Sequence, residues 1–94
     1  MASKAKSQRI HAKRMAKMRY EIDFNNGLRE QFIKMIQSGQ AVFLYATSNR
    51  ARTFAVKYND RLIPVVYDNQ RKEIVTLLPP EALNDYQKKL EDKF

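Results

Sequence analysis

The chain predicts an α+β fold, with two N-terminal helices packed on a four-stranded antiparallel sheet and a C-terminal helix. Three observations point there. Apolar residues recur on a 3.6-residue period up to Gly39 and on a period of two beyond it; the connections between the later segments are too short for crossovers; and Pro79-Pro80 closes the alternating stretch before a last helical pattern. The 94 residues suit one domain, 1–94. Its core should be modest, because a chain of this size buries only about two-thirds of its unfolded surface.

The first helix is expected from residue 4 or 7 to residue 20, a stretch with no Gly, no Pro and no β-branched residue but Ile10. On a 3.6-residue period His11, Met15, Met18 and Ile22 share one stripe, expected to dock, while Arg9, Lys13 and Lys17 share another, expected to stay wet. Residues 1–7 are small and basic and should be flexible, fraying at the leading end. Within Asn25-Asn26-Gly27 an Asn is suited to cap a second helix over 28–37, whose apolar stripe is Leu28, Phe32, Met35 and Ile36. Ser38-Gly39 closes it, with Gly39 fit for the left-handed position that follows a helix.

Residues 41–46, 52–58, 61–68 and 73–78 read as strands rich in Val, Ile, Phe and Tyr. They are joined at Ser48-Asn49-Arg50, at a tight Asn59-Asp60 hairpin without the preferred Gly, and at a turn over 68–71. Pro64 has no N–H to give a ladder, so irregular pairing, an edge or a bulge, is expected there. Pro80 stands near the first turn of a last helix, 81 to about 90, with Leu83, Tyr86, Leu90 and Phe94 on one face.

The net charge is +8, and its distribution is one-sided. Lys4, Lys6, Arg9, Lys13, Arg14, Lys17 and Arg19 fall in the first 20 residues with no acid among them, whereas the rest of the chain sets eleven cations against ten acids. A helix charged in this way is the footprint expected for a nucleic-acid backbone. A solvated face that aids solubility competes with that reading. An anionic membrane surface is disfavoured, because Met and Ala stand where interfacial helices carry Trp, Phe and Leu. The absence of cysteine removes disulfides, thiolate nucleophiles and the usual zinc ligands, and fits a reducing cytoplasm, bacterial or of a phage-infected host cell. No secretory apolar segment and no run of about 18 apolar residues occurs, so no membrane association is expected.

One histidine, scattered acids and two glycines leave no evident metal site, cofactor motif or phosphate loop. The remaining inventory of one His among Arg, Lys, Thr and Tyr suits metal-free RNA cleavage, in which the ribose 2′-OH attacks its own phosphate. That reaction needs a base, a proton source and cations for the charge that grows on phosphorus. His11 is the candidate base or acid. Arg14, with Arg50 or Arg52, is the candidate phosphate grip, and Thr76 and Tyr67 are candidate donors. Lys6, Arg9, Lys13, Lys17, Arg50 and Tyr67 are candidate nucleic-acid contacts.

Each has a structural alternative. His11 on an apolar stripe can be a packing residue, Arg14 a solvated helix residue, and Arg50 and Arg52 turn-flanking charges. Thr76 can reflect strand propensity alone. Tyr45, Tyr58 and Tyr67 can be sheet packing or, if exposed, platforms for bases.

Arg9-Ile10-His11-Ala12-Lys13-Arg14, Ser48-Asn49-Arg50, Val65-Val66-Tyr67-Asp68 and Ile74-Val75-Thr76-Leu77-Leu78-Pro79 together resemble the small ribonuclease toxins of phages and bacteria, the group of colicin D, barnase and the mRNA-cleaving toxins. The resemblance spans roughly residues 8 to 80. It implies a metal-independent endoribonuclease that leaves a cyclic phosphate, a tRNA or mRNA substrate, and often a protein antitoxin or immunity partner. Carried over, the helix His is His11, the helix cation Arg14, the strand-entry cation Arg50 or Arg52, and the last-strand hydroxyl Thr76. The chain departs from that pattern in having no evident second acid or base, a role left to a Tyr or Lys. Two non-enzymatic classes stand beside this one: a basic nucleic-acid-binding protein, and an inhibitor or subunit of a nucleoprotein complex whose basic N-terminus threads into its partner.

Overall fold

The computed structural model describes residues 4–94, and side chains from Ser7 onward. In chain order it contains α1 (Lys4–Tyr20), α2 (Asn26–Gln37), β1 (Val42–Ala46), β2 (Ala51–Tyr58), β3 (Arg61–Asp68), β4 (Glu73–Leu77), a 3₁₀ segment (Pro80–Tyr86) and α3 (Gln87–Lys93). The strands form one sheet in the order β1-β2-β3-β4, every pair antiparallel. The α+β arrangement expected from the periodicity is the one observed. Residues 1–3 of the basic start lie outside the described residues, and α1 begins at Lys4, one of the two starts expected.

Local chemistry explains the boundaries. Asn25 caps α2, its side chain accepting from the Leu28 N–H at 2.9 Å. At the other end Gly39 takes φ +83°, and the N–H groups of Gly39 and Gln40 donate to Ile36 and Met35, which satisfies carbonyls the helix would otherwise leave open. Asn59 and Asp60 both adopt positive φ, 51° and 59°, as a two-residue hairpin turn of this hand requires. The last helical stretch is split rather than continuous: Pro80 opens a 3₁₀ turn, and α-helix begins only at Gln87.

Pro64 is the first departure from expectation. It lies in register in an inner strand, opposite Ala55, and is fully buried. Its carbonyl accepts from the Leu78 N–H at 2.8 Å, just past the end of β4. Its missing N–H therefore points where β4 has already given way to Pro79-Pro80, and little of the ladder is lost. The irregularities fall elsewhere, between Val66 and Tyr67 against β4 and between Phe43 and Tyr45 against β2.

The second departure is the rotation of α1. Ala12 and Ala16 are fully buried and Tyr20 nearly so, whereas Met18 is 71% exposed and His11 is exposed; Met15 and Ile22 are half-buried. The expected stripe of His11, Met15, Met18 and Ile22 is thus one flank of the helix, and the docking line is Gln8, Ala12, Ala16 and Tyr20. The size of the side chains decides this. α1 runs beside edge strand β4, and alanine lets the helix backbone approach closely where methionine would hold it off. Arg19 and the Tyr20 hydroxyl then donate to the carbonyls of Leu77 and Leu78, protecting that end of the sheet.

The core has two parts because the inner strands are apolar on both faces. Val56, Ile63, Val65, Tyr67, Ile74 and Leu77 pack under α1 and α2 with Phe24 and Phe32. Val42, Leu44 and Ala55 face the other way and are covered by Leu83 and Leu90. The C-terminal elements therefore lie on the opposite face from the first two helices. Consecutive burial of Ile63, Pro64 and Val65 demands cover on both sides.

Candidate nucleic-acid interface

Two buried carboxylates organise one end of the molecule. Asp68 and Glu73 pair across the β3–β4 ladder and are 2% and 3% exposed. Glu73 receives Arg29 of α2 at 2.7 Å on one oxygen and Arg9 of α1 at 2.8 Å on the other. Asp68 receives Arg50 at 2.9 Å, Gln8 at 3.2 Å and Arg71 at 3.4 Å, while its second oxygen accepts the N–H groups of Gln70 and Arg71. Burial alone would raise the Asp68 carboxyl. Hydrogen bonds from Gln8, Arg50 and the Gln70 backbone, with the charge of Arg50, outweigh it and hold the group below the ordinary 3.8. A buried charge is tolerable only with such compensation.

This cluster engages two of the expected nucleic-acid contacts in ion pairs. Arg9 and Arg50 hold α1 and the start of β2 onto the β3–β4 hairpin, although both remain partly exposed. Tyr67 is 4% exposed, takes a hydrogen bond from Gln37 at 3.2 Å and packs edge-on against Phe54, so it is core rather than a stacking platform. Lys6 lies outside the described side chains. Lys13 and Lys17 are exposed on α1, Lys13 only 4.0 Å from an equally exposed Asp23. Arg14 is exposed also, and Arg14, Lys17 and His11 make no ion pair or hydrogen bond with another described side chain.

Of the four catalytic candidates, His11 and Arg14 stay neighbours, exposed and three residues apart on α1, while Arg52 and Thr76 fall on opposite faces of the sheet. Arg52 pairs with Tyr67 in the ladder and shares its face, the one under the helices. Thr76 pairs with Val66, and Val66 with Thr53, which places all three on the opposite face. Arg52 therefore cannot stand on the same side as Thr76. His11 is exposed and follows Gln8 by three residues, so the two share a flank of α1. That flank matters because Gln8 lines a groove of about 280 Å³ with Ser48, Arg50, Ala51, Val66, Asp68, Arg71 and Val75. Val66 puts the groove on the Thr76 face, and the Thr76 hydroxyl is buried on that face with no hydrogen-bond partner among the described residues. Of the strand-entry arginines it is Arg50, not Arg52, that borders this groove.

Sequence reasoning missed Gln8, Arg29, Asp68, Arg71 and Glu73. The available signal was that Asp68 and Glu73 flank a four-residue turn at facing strand ends, where an acid pair needs cations from elsewhere in the chain. Among the described residues no group of three or more His, Asp or Glu could hold a metal ion, and no helix is long and apolar enough to cross a membrane. Comparison of the chain with protein-family models, with curated proteins and with solved structures finds no match. What fold and site define is therefore a class: a small α+β protein with a cationic helix flanking a polar-rimmed groove.

Proposed function

We propose that this protein binds the sugar–phosphate backbone of RNA along the outward arc of α1. The observation that carries the reading is a contrast in the use of cations. Arg9, Arg29, Arg50 and Arg71 are consumed by Asp68 and Glu73, whereas Arg14 and Lys17 stand in solvent on a helix with no acid of its own. Unpaired cations along one helix cost self-repulsion, which a polyanion relieves with release of its counterions. A single strand is favoured over a duplex, because the groove beside α1 has an apolar floor of Ala51, Val66 and Val75 that suits an unstacked base. The test is fluorescence anisotropy with single-stranded and duplex oligonucleotides over a salt series. Steep salt dependence with the single strand bound more tightly is expected; affinity indifferent to salt would end the reading.

A metal-independent endoribonuclease is the second reading, favoured by the exposure of His11 and Arg14 three residues apart on α1, on the flank next to Gln8, which lines the groove. Here His11 would take the proton of the 2′-OH as its oxygen bonds to phosphorus, Arg14 would meet the charge on the phosphorane, and solvent would protonate the 5′ oxygen as its bond to phosphorus breaks. RNA incubated in EDTA should then give fragments ending in cyclic phosphate that disappear for His11→Ala. Intact RNA leaves the binding reading alone.

A further inference from the structure

We propose that the cavity between the start of α2 and the Arg9–Lys13 flank of α1 is a pocket for a terminal phosphate, the monoester at one end of an RNA strand; this rests on the RNA reading above. The cavity measures about 250 Å³ and lies on the side of α1 away from His11. Arg9, Lys13 and Arg29 line it, and no acid does. Glu73 receives Nη1 of Arg29 at 2.7 Å and Nε of Arg9 at 2.8 Å, so it fixes each guanidinium through a single nitrogen. The Nη groups of Arg9 make no hydrogen bond with another described group, and its side chain is half exposed. Lys13 is more exposed still. Its one ion pair among the described residues is with Asp23, 4.0 Å away and equally in solvent, a contact that yields readily.

Charge and shape suit a monoester better than the diesters inside a strand. Against the three cations stands one buried carboxylate, which leaves two positive charges at the pocket. A phosphate monoester near neutral pH carries close to two negative charges and has three oxygens free to accept. A diester carries one charge and has two such oxygens. The Arg9 fork can take two oxygens side by side, and Lys13 the third as a point charge. Beside these side chains α2 begins: the N–H groups of Asn26 and Gly27 have no acceptor among the described residues, the first turn holds no acid, and the helix adds the positive end of its dipole. Ile10 and Phe24 close the sides.

The test compares four forms of one short single-stranded RNA over a salt series: hydroxyl at both ends, 5′-phosphate, 3′-phosphate, and a hydroxyl-ended strand two nucleotides longer, whose added charge sits on diesters. A phosphate at one end should raise affinity about tenfold over both hydroxyl-ended strands, the scale of one hydrogen bond between charged groups. Lys13→Met, at an exposed side chain, should shrink that advantage to within about twofold. Asn26→Asp should do the same, because its carboxylate repels a phosphate. An acid suits the first turn of α2, however, so the melting temperature should hold or rise while the advantage disappears. Phosphorylated strands bound no better than the longer hydroxyl-ended one, or an advantage that survives either change, overturn the pocket and leave RNA binding standing. Absence of salt-dependent binding to any strand overturns both.

Discussion

Arg29 and Glu73 form a nearly buried ion pair, 2.7 Å apart, that joins α2 to the start of β4. Arg9 reaches the other oxygen of the same carboxylate from α1, so one side chain fastens both N-terminal helices to the sheet. Removing Glu73 would strand two guanidinium groups. Glu73→Gln should cost about 3 kcal/mol in urea-induced unfolding, whereas the double change Arg29→Met with Glu73→Leu should fall within about 1 kcal/mol of the parent, because it removes the buried charges together. Losses from Arg29→Met and Glu73→Leu made singly that sum to that of the double change would show that the pair is not coupled.

The rotation of α1 can be read from stability as well as from coordinates. Ala12→Leu or Ala16→Leu forces extra methylenes between helix and β4 and should cost about 1–3 kcal/mol. Met18→Ala and His11→Ala, both on exposed side chains, should stay within about 0.5 kcal/mol of the parent. The opposite pattern in thermal melts would restore the His11–Met18 stripe as the docking face.

Two groups set opposite pH limits. The folded Asp68 carboxyl lies below 3.8, so its contribution is complete above that value and is lost as the pH falls through the lowered folded value. Asp68→Asn should flatten the acid limb of a stability–pH curve. Tyr20 is pushed up to about 12, chiefly by burial, with Arg19 and Arg61 pulling the other way. Its contribution holds up to the unfolded value of 10.0 and is lost as the pH climbs from there toward 12. Tyr20→Phe, which cannot ionise, should remove that alkaline loss at the expense of the hydrogen bond to Leu78.

The cations of α1 should divide by role. Arg14→Ala and Lys17→Ala should each lower the slope of log affinity against log salt by about 0.7 for single-stranded RNA, with melting temperature little changed. Arg9→Ala should chiefly loosen the fold, because its guanidinium is engaged with Glu73. Equal slopes for all three variants and the parent would exclude α1 as the footprint.

Much of this architecture was legible in the residues themselves. Gly39, Asn25, the Asn59-Asp60 turn and the change of period at residue 40 dictate local backbone states, and local states depend on neighbours in the chain. The concentration of charge in the first 20 residues is likewise a property of order alone. The facing of α1 was not legible, since Met and His look better suited than Ala to a helix seam until the helix is known to lie close beside β4. Nor could spacing reveal that Arg9, Arg29, Arg50 and Arg71, up to 62 positions apart in the chain, meet around Asp68 and Glu73, or that Thr76 and Arg52 fall on opposite faces. Those facts follow from strand register and from which carboxylates become desolvated. Both are settled only when distant segments pack, because a charge chooses its partners by the water it loses rather than by its place in the sequence.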